Sequence, residues 1–254
     1  DHYYYCIMRE KNLHKNIKNK MGPARVRILF VIVALVLCTF FIFKFRPRIE
    51  NFEPRLHPLL GPRSEEPPVP IWVISLPQRT DRRHAMRSSL SPINFTFIDA
   101  VDGATLRPHP TLTRGEYGCF KSHAHVLASI AAGPHDAVLV LEDDAVISVP
   151  VIKKTLELVS SLTYDAFVLG VNYPIQDFVA VHEGVVQPRD STLYGMHAVL
   201  YTKEGARRLS AAIEREGMRV PVDTFLAHQP NVLVAQPSLV FQAQVNDSDT
   251  QKIR

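Results

Sequence analysis

From Ile71 onward, short apolar runs alternate with stretches of helical period, the pattern of an α/β domain rather than of a bundle or a sandwich. IWVISL, Ile71 to Leu76, reads as a buried first strand. Asp81 to Leu90 reads as a short basic helix and Phe95 to Asp99 as a second strand. Thr113 and Glu116 form a capping box, which opens a helix to about Ala131. Val138 to Glu142 is a third strand, followed by a helix over Val151 to Leu162 and a strand over Tyr164 to Leu169. Met196 to Tyr201 is extended, and Lys203 to about Glu216 is an amphipathic helix. Pro221 to His228 is a helical or turn segment, with short strands at Val232 to Ala235 and Leu239 to Phe241.

Upstream the pattern changes twice. Ile28 to Phe43 contains no charge and lies between Arg27 and Lys44, a run that spans about 24 Å as a helix. Counting Val26 to Phe45, with the flanking cations reaching outward, brings the span to about 30 Å. No small-residue cleavage pattern follows Phe43, so the run is expected to be an uncleaved signal anchor rather than a removed leader. Residues 44–70 are crowded with proline, including Pro47, Pro54, Pro58, Pro62, Pro67, Pro68 and Pro70. That composition stays extended and reads as a stem. The expected organisation is a basic tail over 1–27, a membrane anchor over 28–43, a stem over 44–70 and a folded domain over 71–254.

The net charge of +4 concentrates in the tail, where Arg9, Lys11, Lys15, Lys18, Lys20, Arg25 and Arg27 precede the anchor. This distribution excludes a nucleic-acid surface on the folded domain and places the tail in the cytosol by the positive-inside rule. The expected product is a single-pass type II membrane protein of the Golgi or endoplasmic reticulum with a luminal domain. Two acceptor triplets, beginning at Asn94 and Asn246, are then open to glycosylation. On this topology the three cysteines, Cys6, Cys38 and Cys119, fall in different compartments and cannot pair within the chain.

The chemistry begins where the third strand stops. VLVLEDDA closes a solidly apolar strand with Glu142, Asp143 and Asp144. Two carboxylates 4 Å apart repel by roughly 1 kcal/mol in water and about 4 kcal/mol at an intermediate dielectric, so a positive partner is expected there. Clustered hard oxygen ligands at the carboxyl end of a central strand suit Mn²⁺ or Mg²⁺ holding a diphosphate. An acidic loop capping the next helix fits the same residues. The first strand runs into Gln78, Arg79, Thr80, Asp81, Arg82 and Arg83, which reads either as a phosphate seat or as a solvated basic helix face. FIDAVDG, with Asp102 before Gly103, ends the second strand in an acidic turn. GEYGCFKSH, Gly115 to His123, places glycines within a helix at about 1 kcal/mol each relative to alanine, a cost that close approach of a ligand or backbone explains. His123 and His125 are two apart on different faces and do not share a metal. In VPVDTFL, Asp223 is either a helix cap or a general base whose pKa is raised by apolar surroundings.

In order, VISLPQRTDRR, FIDAVDG, LTRGEYGCFKSH, LVLEDDA, YGMHAVLYTKEGARRL, PVD and a late Ser248-Asp249 resemble glycosyltransferase family 25 across Ile71 to Asp249. The resemblance implies a GT-A-like nucleotide-sugar-binding domain with a mixed central sheet. It also implies transfer of a hexose, typically galactose, from a UDP-sugar to a hydroxyl of a glycan or glycoprotein. Glu142, Asp143 and Asp144 would hold Mn²⁺ (or Mg²⁺). Arg79, Asp81, Arg82, Asp102, Ser122 and His123 would face the donor, and Asp223, the carboxylate of the Pro-Val-Asp block, would be the catalytic residue. Inverting transfer is the expected chemistry. The alternative is a membrane-tethered UDP-sugar-binding protein of the same fold without turnover.

Overall fold

The computed structural model describes residues 69–173, 175–189 and 193–243, all within one compact unit, Leu60–Arg254. Ten strands and five α-helices order the described chain. They begin β1 (Ile71–Ser75), α1 (Thr80–Leu90), β2 (Thr96–Asp99), a 3₁₀ turn at Gly103–Thr105 and α2 (Arg114–Ala132). Next are β3 (Ala137–Glu142), β4 (Ala145–Val146), α3 (Val149–Val159), β5 (Ala166–Gly170), β6 (Phe178–His182) and β7 (Val185–Pro188). The series closes with β8 (Ala198–Thr202), α4 (Lys203–Glu216), α5 (Val222–Ala227), β9 (Val232–Ala235) and β10 (Phe241–Gln242).

Eight strands form one mixed sheet in the order β2-β1-β3-β8-β5-β9-β7-β6. β1 pairs in parallel with β2 and β3, while β8 runs antiparallel between β3 and β5. The expected α/β class and mixed central sheet are therefore present. Side-chain alternation along β3 sends Val138 and Val140 to one face and Leu139 and Leu141 to the other. The first face is covered by α2, α4 and α5 through residues such as Phe120, Leu209 and Phe225. The second is covered by α1 and α3 through Met86, Leu90, Ile152 and Val159. Each large apolar side chain so buried contributes about 1.5–3 kcal/mol, which is why the central strands carry almost no polar residue.

Local signals set several boundaries. Thr113 Oγ1 accepts from the Glu116 N–H at 3.2 Å while Glu116 Oε2 accepts from the Thr113 N–H at 2.8 Å, the reciprocal box that starts α2. Thr202 caps α4 in the same sense, accepting from the Gly205 N–H. The β6–β7 hairpin escapes the sequence pattern: all five β6 residues are exposed, so no buried face imposes an alternation. The last strand sits at Phe241–Gln242 rather than at Leu239 to Phe241, because Phe241 and Gln242 pair with Val146 and Ala145.

Among the described residues no helix is long and apolar enough to cross a membrane. The anchor at 28–43, the tail at 1–27, the stem up to residue 68, and the Asn246 and Ser248-Asp249 positions all lie outside the described residues.

Candidate active site

The three acids occupy the carboxyl end of β3 and the turn before β4, between β1 and β8 in the middle of the sheet. They point to different partners. Asp143 uses both oxygens: Oδ2 accepts from the Ser75 hydroxyl at 2.7 Å and Oδ1 from Arg82 Nη1 at 2.7 Å. Asp144 Oδ2 accepts from Arg82 at 3.2 Å and from Gln242 Nε2 at 3.0 Å. Glu142 turns toward α2, where Oε1 lies 3.7 Å from His123 Nε2 and 3.9 Å from Cys119 Sγ. The positive partner that the strand-closing charges demanded is thus in part an arginine of α1, itself buried.

Buried atoms beside these acids that lack a hydrogen-bond partner include Asp144 Oδ1 and His197 Nδ1. Glu142, Asp144 and His197 each bring one ligand atom within 4.8 Å of the others, an arrangement able to hold a metal ion. Burial pushes the His197 imidazole below its usual pKa, against the upward pull of Asp144, so its lone pair is available at neutral pH. Burial likewise raises the Glu142 carboxyl, with Asp144 and Asp143 adding to the rise and His123 opposing it. The donor set fits a hard divalent cation through Glu142 and Asp144, with His197 as a third ligand. Sequence reasoning missed His197, which lies just before β8 and far from the acids in the chain. The signal for it is indirect: the Glu142 N–H donates to the His197 carbonyl at 2.9 Å through the antiparallel pairing of β3 with β8.

Two adjoining cavities share Arg82, Cys119, Glu142, Asp144 and Gln242 in their walls. The smaller, about 120 Å³, is bounded by Ser75, Asp102, Gly103, Gly115, Ser122 and Asp143. The larger, about 490 Å³, is bounded by Asn172, Tyr173, Tyr194, Gly195, Asp223 and Thr224. Asp102 caps the 3₁₀ turn, its Oδ1 accepting from the Ala104 N–H at 2.9 Å and its Oδ2 from Gln78 at 3.0 Å. Ser122 braces that loop against α2, accepting from the Val101 N–H at 2.8 Å and donating to the Gly118 carbonyl at 2.7 Å. Here the helix and loop nearly touch: a Cβ on Gly118 would stand 2.7 Å from the Val101 carbonyl oxygen and 2.8 Å from the Gly103 nitrogen. Neighbouring backbone therefore accounts for this glycine.

Asp223 sits in the first turn of α5, after the N-cap Pro221. Its oxygens accept from the Thr224 N–H at 2.7 Å and the Gly195 N–H at 3.2 Å. Burial lifts its carboxyl above the ordinary range, while those two N–H groups pull it back. Gly195, at φ +69, occupies the left-handed region that a side chain disfavours, and Asn172 Nδ2 would meet a Cβ there at 2.1 Å.

The basic block divides. Arg82 lines both cavities, whereas Arg79 and Asp81 pair with each other at 3.0 Å and line neither. That contact is the main cause that holds the Asp81 carboxyl down at about 2. Arg83 ties β1 to β2 by donating to the Ser75 carbonyl and to Asp99. His123 is 2% exposed and lines neither cavity, while His125 is exposed at the opposite side of the helix.

Residues 69–226 match the model of glycosyltransferase family 25 (LPS biosynthesis protein). The chain is 34% identical over 186 residues to the probable inactive glycosyltransferase 25 family member 3 of Rattus norvegicus, covering 61% of this chain and 32% of that protein. It is 30% identical over 188 residues to procollagen galactosyltransferase 1-B of Xenopus laevis, covering 61% and 30%. The chain thus spans about a third of the length of these curated relatives. A solved glycosyltransferase involved in glycosylation of the major capsid of PBCV-1 overlaps 72% of this chain and 95% of its own, with a TM-score of 0.41 and 9% identity. On the match across 69–226, the chain belongs to glycosyltransferase family 25.

Proposed function

We propose that this domain binds a UDP-hexose, typically UDP-galactose, in a GT-A-like fold. It transfers the sugar with inversion to a hydroxyl of a glycan or glycoprotein. The observation that carries the reading is the grouping of Asp144 and His197, each with an orphaned buried atom, with Glu142, beside the wall shared by the two cavities. A cavity of about 120 Å³ is too small for a nucleotide sugar by itself, so the donor must extend into the larger one.

Glu142, Asp144 and His197 would hold Mn²⁺ (or Mg²⁺), which when bound supplies positive charge against the donor diphosphate. Asp143 fixes Arg82, and Arg82 presents a second positive charge to both cavities. Asp102 and Ser122 shape the nucleotide side, with Arg79, Asp81 and His123 supporting its rim and back. Asp223 faces the larger cavity with a carboxylate whose raised pKa suits removal of a proton from the acceptor hydroxyl. Tyr173 and Tyr194, edge to face at 6.1 Å and both exposed, offer ring faces to an acceptor at its mouth. In this reading the domain is luminal, in the Golgi or endoplasmic reticulum, behind the 28–43 anchor.

Calorimetry and donor hydrolysis with UDP-hexoses, with and without Mn²⁺, test the proposal. The parent protein should bind UDP in a manganese-dependent way. Asp144→Asn and His197→Gln should lose manganese affinity by at least about tenfold, or 1.4 kcal/mol. Absence of any heat with UDP and Mn²⁺ would reject it. One observation favours the reading without turnover: Arg82 already neutralises two of the three acids. UDP binding with neither hydrolysis nor transfer, across a panel of hydroxyl acceptors, would select it.

A further inference from the structure

We infer that Cys119, His123 and Glu142 form a second metal site, selective for a thiophilic divalent ion such as Zn²⁺, which shares Glu142 with the hard-cation group. Cys119 and His123 are four residues apart on α2, so both side chains lie on the helix face that meets the end of β3. With Glu142 they bring Sγ, a ring nitrogen and a carboxylate oxygen within 4.8 Å of one another. Zinc bonds of about 2.0–2.3 Å place tetrahedral ligands only slightly closer than the 3.7 Å and 3.9 Å found here, so a small inward movement closes the set.

The independent sign of a missing ligand is His123. Its Nε2 is buried and has no hydrogen-bond partner, and Glu142 at 3.7 Å is beyond hydrogen-bond range. The other ring nitrogen, Nδ1, lies 3.4 Å from the Tyr201 hydroxyl. The Tyr201 hydroxyl can accept from Nδ1–H, which leaves the Nε2 lone pair on the side of Glu142. Cys119 and Glu142 both line the cavities, which gives an ion a route in and leaves the fourth coordination position to water.

Binding exchanges a proton for a metal. The thiol S–H bond breaks, the sulfur pair forms the metal–sulfur bond, and the proton leaves to solvent. Because uptake releases this proton, it should strengthen as pH rises. A thiolate and an imidazole select Zn²⁺ over Mg²⁺ or Mn²⁺, whereas Glu142 and Asp144 accept the harder ions. Because one carboxylate serves both groups, zinc should displace manganese. That last consequence rests on the donor-cation reading above.

Cobalt replaces zinc as a coloured probe. One equivalent of Co²⁺ added to the full chain should give a thiolate-to-cobalt charge-transfer band that Zn²⁺ bleaches. Cys119→Ser should abolish the band, and His123→Gln should weaken zinc competition by at least about tenfold. No band in the parent, or a band retained in Cys119→Ser and therefore owed to Cys6 or Cys38, would overturn the site. Circular dichroism checks folding, and Cys119→Ala replaces the serine variant if that one unfolds. By manganese spin resonance, zinc should release Mn²⁺ from the parent at an at least about tenfold lower concentration than from the Cys119 variant; release at the same zinc concentration from both would overturn the sharing of Glu142. Failure of the zinc-free chain to bind manganese would reject the donor-cation reading and leave the cobalt result standing.

Discussion

Arg82 Nη1 lies 2.7 Å from Asp143 Oδ1, with each side chain retaining only 10% of its exposure. The pair links α1 to the turn after β3, and the same guanidinium reaches Asp144 at 3.2 Å. Removing one member of such a buried pair leaves an uncompensated charge and costs about 3–5 kcal/mol. Arg82→Met should therefore lower the urea midpoint by a corresponding amount. Adding Asp143→Asn should recover part of that loss, since the charge left stranded is then gone. Additive losses in the double variant would show that the two residues are not coupled.

Asp223 gives a pH signature. Its carboxyl is raised above 3.8 by burial, so the native state binds the proton more tightly than the unfolded chain. Native stability from this group is then fully present below pH 3.8 and declines as pH rises through the higher folded value. Asp223→Asn removes the penalty of ionisation and should melt above the parent at neutral pH, with the gap closing as pH falls toward 3.8. The same variant should lose transfer activity. A variant less stable than the parent at neutral pH would contradict the sign argued here.

Gly118→Ala tests the contact between α2 and the loop after β2. The new Cβ would meet backbone atoms at 2.7, 2.8 and 2.9 Å, and backbone cannot rotate out of the way. Overpacking of this kind costs about 1–3 kcal/mol. The expected outcome is a lower melting temperature together with weaker UDP binding, because Gly103 belongs to the smaller cavity wall.

Asn94 is exposed in the segment leading into β2, and so accessible to a glycosylating enzyme. A luminal domain should carry sugar there when made in the secretory pathway. Glycosidase treatment should increase gel mobility, and Asn94→Gln should reduce the shift; a parent protein with no shift would count against the luminal orientation.

The described fold was largely readable where burial imposes a period. The helix expected over Lys203 to Glu216 occupies those residues, since its apolar stripe and the Thr202 cap agree. The capping box at Thr113 and Glu116 and the strand ending at Glu142 were equally legible. β6 was not, because an exposed strand such as Phe178–His182 carries no buried face to betray its period. Within the site, the acids announced themselves by their cost at the end of an apolar strand. Their partners did not: Arg82 is 61 positions from Asp143, and only the β1–β3 adjacency brings the two together. His197 was hidden for the same reason, its neighbourhood set by antiparallel register rather than by spacing. The four-residue step from Cys119 to His123 was in plain view, but it becomes meaningful only once Glu142 stands opposite.

The two-stranded ladder between β4 and β10 works as a buckle. It fastens a segment downstream of the family-matched region, 69–226, onto the acidic turn, and through Gln242 it supplies one of the donors to Asp144. A version trimmed to the matched boundary loses this clasp, the interior strand β9 that joins β7 to β5, and part of the wall of both cavities. Truncation after Ala227 therefore dismantles the wall around the three acids without removing any of them.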